Sequence, residues 1–215
     1  MKIEIISVNA ISEGAEMLLT LQISDDEGNK ERRKLLVFTN QYLEMSLRKG
    51  MVLDEDTFDA LERCSKECIA IRKGSHLLTY SSSSRKRLVQ RLRNKGIDRD
   101  SAESAAAHLV ELGAVNEKTD AEREVASCLR KLWGKKRIYR ELLAKGYEKE
   151  HIENALRCIT KEQMMENCAI LLQKKHRTIP QEASVRKKIA GSLSRYGYTF
   201  DEIKYAFDTM LKETE

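Results

Sequence analysis

The chain of 215 residues contains one Pro, one Trp and four Phe. A sequence so poor in large aromatics builds thin cores and leaves much solvated surface, which suits small helical modules. Its five Cys are an odd number with no C-x-x-C pair. A disulfide framework or a zinc ribbon is therefore not expected, and the thiols read as free in a cytoplasmic protein. No apolar run approaches the ~20 residues that span a bilayer. The opening MKIEIISVNA lacks the charged lead and apolar block of a secretion signal. His76, His108, His151 and His176 stand apart from Cys or acid partners at ligand spacing. There is no G-x-x-x-x-G-K-[ST] loop, no G-x-S-x-G elbow and no G-x-G-x-x-G. Nothing argues for an enzyme, a cofactor or a metal. Cys64 and Cys68 share a helix face, with one expected in the core and the other partly exposed.

What is present is charge. Charged residues make up 34% of the chain against 41% hydrophobic, with a formal net charge of +5. The cations are clustered. Ser84–Lys95 holds Arg85, Lys86, Arg87, Arg91, Arg93 and Lys95 without one acid, and Arg130–Lys145 is basic apart from Glu141. Such clusters suit a polyanion or an acidic protein surface, and the plainer alternative is a solvated helix face.

The chain is organised around KKRIYRELLAKGYEKEHIENALRCI, Lys135–Ile159. Ile138 and Leu142, then Ile152, Ala155, Leu156 and Ile159, recur at helical spacing and give two short amphipathic helices hinged at Gly146. Gly146 suits the left-handed position that ends a helix, and the basic Lys145 suits the negative end of its dipole. Aligning glycines finds two further copies, around Gly96 and Gly197. Leu88, Ile138 and Ile189 share one position, as do Leu92, Leu142 and Leu193. The acids Asp100, Glu150 and Asp201 follow each glycine at the same distance. A period near fifty residues with a helix pair in each copy means tandem helical modules.

In chain order, Lys2–Asn9, Met17–Ile23 and Arg33–Thr39 read as a three-stranded antiparallel meander separated by Gly-containing turns. A short helix, Gln41–Lys49, follows Asn40 and ends at Gly50. Asp54 caps a helix carrying Phe58 and Leu61, and a further helix spans about Ser65–Tyr80 with Gly74 as its weak point. Ser81–Ser84 reads as a turn and cap. Thr119 or Asp120 caps a helix through Leu132, and Lys161–Lys175 repeats the theme. The loop His176–Ser184 holds Pro180. The expected fold is mainly α: 1–53 as a β meander with a short helix, then three-helix repeats at 54–113, 114–160 and 161–215.

A helix-turn-helix DNA reader is the sharpest rival for the hinged pairs. Its second helix enters the major groove, yet here that helix opens with Asp100 and Glu103, Glu150 and Glu153, or Asp201 and Glu202. Carboxylates there meet phosphates and are repelled. The positive charge lies on the preceding helix. Trp133 reads first as packing at a helix junction, while Tyr139 and Arg140 beside Lys135, Lys136 and Arg137 form the aromatic–basic mixture that interfaces enrich.

The repeated motifs LRNKGIDRDSAESA, ELLAKGYEKEHIENAL and SLSRYGYTFDEIKYAF resemble the RecX family, bacterial modulators of the RecA recombinase. The match is strongest at Gly134, Arg137, Ile138, Glu141, Leu142, Lys145 and Gly146, and covers about residues 55–212. Tyr196 departs from it by replacing the basic residue before the hinge glycine, and Arg91 stands where Glu141 does. The resemblance implies tandem three-helix repeats curving into an elongated array. It also implies a monomer that binds the groove of the RecA–single-stranded-DNA filament and mostly inhibits it, in homologous recombination, DNA repair and the SOS response. Under this reading the contact candidates are Lys86, Arg87, Arg91, Lys135, Lys136, Arg137, Tyr139, Arg140, Lys187 and Lys188. Nonspecific contact with single- or double-stranded DNA is a further expectation. The alternative is a stand-alone, nonspecific DNA-binding helical protein.

Overall fold

The computed structural model of the chain describes residues 2–176, 180 and 182–212. Contacts divide it into two compact units, Met1–Ser81 with Leu88–Ala114, and Ser82–Arg87 with Val115–Glu215.

The first unit opens with strands β1 (Lys2–Ile11), β2 (Glu16–Ser24) and β3 (Lys30–Phe38). Period-two alternation decides their faces. Ile5 lies opposite Leu21 and Leu19 opposite Leu35, and all four are buried. The β2–β3 turn is held by Asp25, whose carboxylate accepts hydrogen bonds from the Glu27 amide at 3.0 Å and the Asn29 amide at 2.8 Å. The sheet has four strands where three were expected. Val52–Leu53 forms β4, pairs with Ile3 and Glu4, and completes the order β3-β2-β1-β4. The cause lies just upstream. Helix α1 (Thr39–Glu44) stops short of the expected Lys49, and Ser46 and Gly50 take positive φ, which turns the chain back along β1. The Gly50 amide then donates to the Ile5 carbonyl at 2.7 Å.

Helix α2 (Glu55–Tyr80) is capped by Asp54, whose carboxylate accepts from the Thr57 amide at 2.8 Å. It is one continuous helix rather than two. Gly74 does not break it, because the missing Cβ makes room for a neighbour: a methyl there would lie 2.6 Å from Leu109 Cδ1 of α4. Phe58 and Leu61 cover the sheet, and the Ser65 hydroxyl accepts from the Leu36 amide at 3.0 Å. Helix α3 (Arg85–Asn94) buries Leu88 and Leu92, and α4 (Arg99–Glu111) buries Ala102, Ala105, Ala106 and Leu109.

The second unit holds α5 (Glu117–Arg130), α6 (Lys135–Ala144), α7 (Lys149–Arg157), α8 (Lys161–Lys175), α9 (Ala183–Arg195) and α10 (Phe200–Lys212). Asn116, not Thr119 or Asp120, caps α5, and its side chain accepts from the Thr119 amide at 3.1 Å. One core gathers Val125, Cys128, Ile138, Leu142, Ile152 and Met164, and a second gathers Cys168, Leu172, Ile189, Leu193, Ile203 and Met210. Part of the expected His176–Ser184 loop lies outside the described residues, and α9 begins at Ala183.

The three hinges close alike. Gly96, Gly146 and Gly197 have φ of 80°, 83° and 98°. The amide just after each glycine reaches back to the buried leucine: Ile97 to Leu92 at 3.2 Å, Tyr147 to Leu142 at 3.1 Å, and Tyr198 to Leu193 at 3.3 Å. This is the helix-ending bond that a left-handed residue permits. Sequence periodicity here translates directly into backbone geometry.

Candidate functional site

Counting back from the hinge glycines puts three cations at the same place in each copy: Arg85-Lys86-Arg87, Lys135-Lys136-Arg137 and Arg186-Lys187-Lys188. They open α3 and α6, and in α9 they follow the first turn, after Ala183, Ser184 and Val185. A helix N-terminus carries partial positive charge and favours acids, at about 0.3–1 kcal/mol per group. The second helices obey this, with Asp100, Glu150 and Asp201 in their first turns, whereas α3, α6 and α9 have no acid there. A merely solvated face gives no reason to put cations against the dipole in α3 and α6, nor to repeat the triplet in α9 at the same register.

Within each triplet the side chains differ in employment. At the first position Arg85 is exposed and only its backbone amide is engaged, donating to a Glu117 carboxylate oxygen at 2.7 Å. The Lys135 amine donates to the Ile159 carbonyl at 2.5 Å and Arg186 Nε to the Pro180 carbonyl at 2.7 Å. The middle lysines Lys86, Lys136 and Lys187 are all exposed, as are Arg87 and Lys188 at the third position. Arg137, the remaining third-position cation, is half-buried and stacked. Arg85 and Arg186 were absent from the sequence-based candidates, although the glycine register contained the signal for both.

Of the other candidates, Arg91 is tied down: its guanidinium donates to the Leu77 carbonyl at 3.3 Å and the Ser81 hydroxyl at 3.2 Å. Arg140 is exposed, with Nε donating to the Lys136 carbonyl at 3.2 Å. Tyr139 is half-buried and, with Lys135, Lys136, Arg140 and Leu156, lines a groove of about 730 Å³ closed by Ser194 and Arg195. The structure thus gathers four of the α6 candidates, Lys135, Lys136, Tyr139 and Arg140, around one concave surface and leaves Arg137 outside it.

The opposite side of Arg137 carries a row that sequence reasoning missed. Its guanidinium carbon lies 3.9 Å from the Trp133 ring centroid and 5.0 Å from that of Tyr196. Lys175 Nζ lies 3.9 Å from the Tyr196 centroid and Lys131 Nζ 5.2 Å from that of Trp133. Each cation meets the electron-rich face of a ring. The Tyr196 hydroxyl is held below the usual phenol range, chiefly by its hydrogen bond with Lys175 and then by that cation's charge. Tyr196 replaces the basic residue of the other two hinges because its ring is a seat for Arg137. Trp133 is both core-facing, packed beside the Ile138 and Leu142 cluster, and the other face of that seat.

Lys145 is a structural cation, with Nζ 2.7 Å from a Glu124 carboxylate oxygen. Burial pushes the Asp120 carboxyl above the usual range, against the pull of Arg123 at 3.6 Å. Among the described residues no group of three His, Cys, Asp or Glu is placed to hold a metal, and no helix is long and apolar enough to cross a membrane.

No protein-family model matches the chain. Among curated proteins it is 31% identical over 150 residues to a regulatory protein RecX of Clostridium botulinum (strain Eklund 17B / Type B), covering 68% of each chain. Regulatory protein RecX of Stenotrophomonas maltophilia is 29% identical, with 71% of this chain and 93% of that one aligned. The fold is like that in a crystal structure of regulatory protein RecX, with a TM-score of 0.75 at 20% identity, covering 96% of this chain and 99% of that one. A RecX from Lactobacillus salivarius gives a TM-score of 0.58 at 25% identity over 69% of this chain and 96% of its own.

Proposed function

The chain belongs to the RecX family of regulatory proteins, and from that premise we propose that it binds the RecA–single-stranded-DNA filament and restrains it. Its setting is recombination, repair and the SOS response in the cytoplasm. The observation that carries this reading is the cationic triplet repeated three times at one register from the hinge glycines, in α3, α6 and α9. One such patch is an ordinary anion contact. Three at a fixed register suit a ligand that itself repeats, such as a phosphate backbone presented along a protein filament.

The segments 54–113, 114–160 and 161–215 act in this reading as three linked contact modules, each weak alone. Linkage makes the second and third contacts intramolecular and multiplies their effect. Lys86, Arg87, Lys136, Arg140, Lys187 and Lys188 touch the filament. Lys135, Arg137 and Arg91 hold the surface in shape, and the chain has no part in bond-making chemistry.

The deciding experiment is co-sedimentation with preformed RecA filaments, alongside RecA ATP hydrolysis on single-stranded DNA. The expected result is recovery in the filament pellet and slower hydrolysis. Tight binding to duplex DNA without RecA, with hydrolysis unaffected, would replace this reading with the stand-alone DNA-binding one.

A further inference from the structure

The third helix pair differs from the other two in a way that neither folding nor the cationic triplet explains. Helix α10 buries Ile203, Ala206 and Met210 in the core. It also carries Phe200, Phe207 and Leu211 on a second face, where Phe200 is 79% exposed and Leu211 41%. In the hinge register the matching residues are Lys149, Leu156 and Thr160 in the middle copy, and Arg99, Ala106 and Val110 in the first. A stripe with two phenylalanines is thus peculiar to this copy: Phe207 also packs partly against the core, whereas the exposed Phe200 is not needed to build the pair.

The facing helix has changed in the complementary sense. Where α6 has Tyr139 and Arg140, α9 has Ala190 and Gly191. Gly191 lies inside a helix without a positive φ, and among the described residues a Cβ there would meet only Arg195 Nη1, at 3.8 Å. A glycine in a helix interior is disfavoured, and no backbone turn or described neighbour requires this one. What it does is deepen a floor. Between α9 and α10 lies a groove of about 670 Å³, with Ala190 and Gly191 below and the α10 stripe as its wall. Its rim carries Arg186, Lys187 and Lys204 against the single acid Asp208.

We propose that this groove docks an amphipathic helix of a partner protein, with an apolar stripe flanked by carboxylates. The small floor lets a helix backbone approach, Phe200, Phe207 and Leu211 receive its apolar side chains, and the rim selects acids over bases. Helix-in-groove recognition uses this combination of apolar anchors and a charged border. The inference goes beyond the filament reading and does not depend on it. Of the α9 triplet, Arg186 and Lys187 line this groove as well.

The test uses the full chain, without RecA or DNA, and two labelled peptides of about 18 residues with the same leucine stripe at i, i+3, i+4 and i+7. One has glutamates on its flanks, the other lysines. Fluorescence anisotropy is expected to show saturable binding of the acidic peptide and binding of the basic one weaker by about tenfold or more. Gly191→Leu fills the floor while improving helix propensity, and Phe200→Ser removes an exposed anchor, so both variants should melt as the parent does. Each is expected to weaken the acidic peptide by about tenfold or more. Undiminished binding by both variants, equal affinity for the two peptides, or no binding of the acidic peptide would overturn the proposal. So would sedimentation showing self-association that Gly191→Leu abolishes, since the occupant is then a second copy. Displacement of the peptide by a single-stranded oligonucleotide or by anionic vesicles would overturn it equally.

Discussion

The Gly134 amide donates to the Tyr196 carbonyl at 2.9 Å, which joins the start of α6 to the hinge that ends α9. The approach is so close that a Cβ on Gly134 would lie 2.4 Å from the Gly197 carbonyl carbon, and one on Gly197 would lie 2.4 Å from the Arg137 amide nitrogen. Both obstructing groups are backbone and have little freedom to move aside. Gly134→Ala should therefore cost about 1–3 kcal/mol, as overpacking does, although its own φ of −77° would accept alanine without strain. Gly96→Ala is the control, with φ +80° and no described residue within 4 Å of a Cβ, so its cost is the left-handed strain alone, about 1–2 kcal/mol. Urea denaturation of both variants checks this. Only Gly134→Ala should also weaken the Arg137–Tyr196 stacking, read as a change in Trp133 fluorescence.

Core and surface of α6 should separate cleanly. Leu142 is fully buried and accepts the closing bond of its hinge, so Leu142→Ala should destabilise by about 2–5 kcal/mol. Lys136 is exposed, and Lys136→Ala should change stability by less than about 0.5 kcal/mol. Equal shifts of the denaturation midpoint would contradict the faces assigned to this helix.

Asp120 gives a pH dependence with a definite sign. Burial raises its folded-state carboxyl above the unfolded value, so its contribution is most favourable while protonated and is lost as pH rises through the raised value. Asparagine does not ionise and escapes that loss. The melting temperature of Asp120→Asn minus that of the parent should therefore grow as pH rises from about 3 to about 7. A difference that shrank over that range would show the Arg123 contact to outweigh desolvation.

The thiols make a ranking of reactivities. Burial pushes Cys68 and Cys168 up to about 12 and raises Cys128 and Cys64 as well. Cys158 is exposed. Since the thiolate is the nucleophile, iodoacetamide on the native protein should modify Cys158 first, half-buried Cys64 next, and buried Cys68, Cys128 and Cys168 on the timescale of unfolding. Peptide mass spectrometry over time checks the order, and Cys158→Ser should remove the fast phase.

How much of this was legible depends on the range of the interaction. The hinge glycines, the Asp54 cap and the apolar stripes are local, and each took its expected place. Strand β4 was not legible, because two residues carry no periodicity and Val52–Leu53 becomes a strand only through Ile3 and Glu4. Gly74 misled for a related reason, since its partner Leu109 is far away in sequence. At the candidate site the cations were visible as composition. Their division into exposed Lys136, anchored Lys135 and stacked Arg137 depended on Ile159, Trp133 and Tyr196, which no spacing rule brings together.

That division sharpens the test of the proposed function. If Lys86, Lys136 and Lys187 are equivalent contacts, single changes to Glu should each weaken filament binding modestly, and the triple change should weaken it by far more than any one. Linked sites lose effective concentration together. The salt dependence is the more specific reading. Log affinity falls with log salt in proportion to the phosphates contacted, at a slope of roughly 0.7 per contact on single strands. The triple variant should therefore show a slope shallower by about two units. Because all three lysines are exposed, circular dichroism and melting should hardly change. Lys135→Ala, by contrast, should lower stability through the lost bond to the Ile159 carbonyl and leave the salt slope nearly as it was. A triple variant that binds filaments with the parent's slope would mean that the cations lie on a solvated face. The filament would then have to be gripped by other residues.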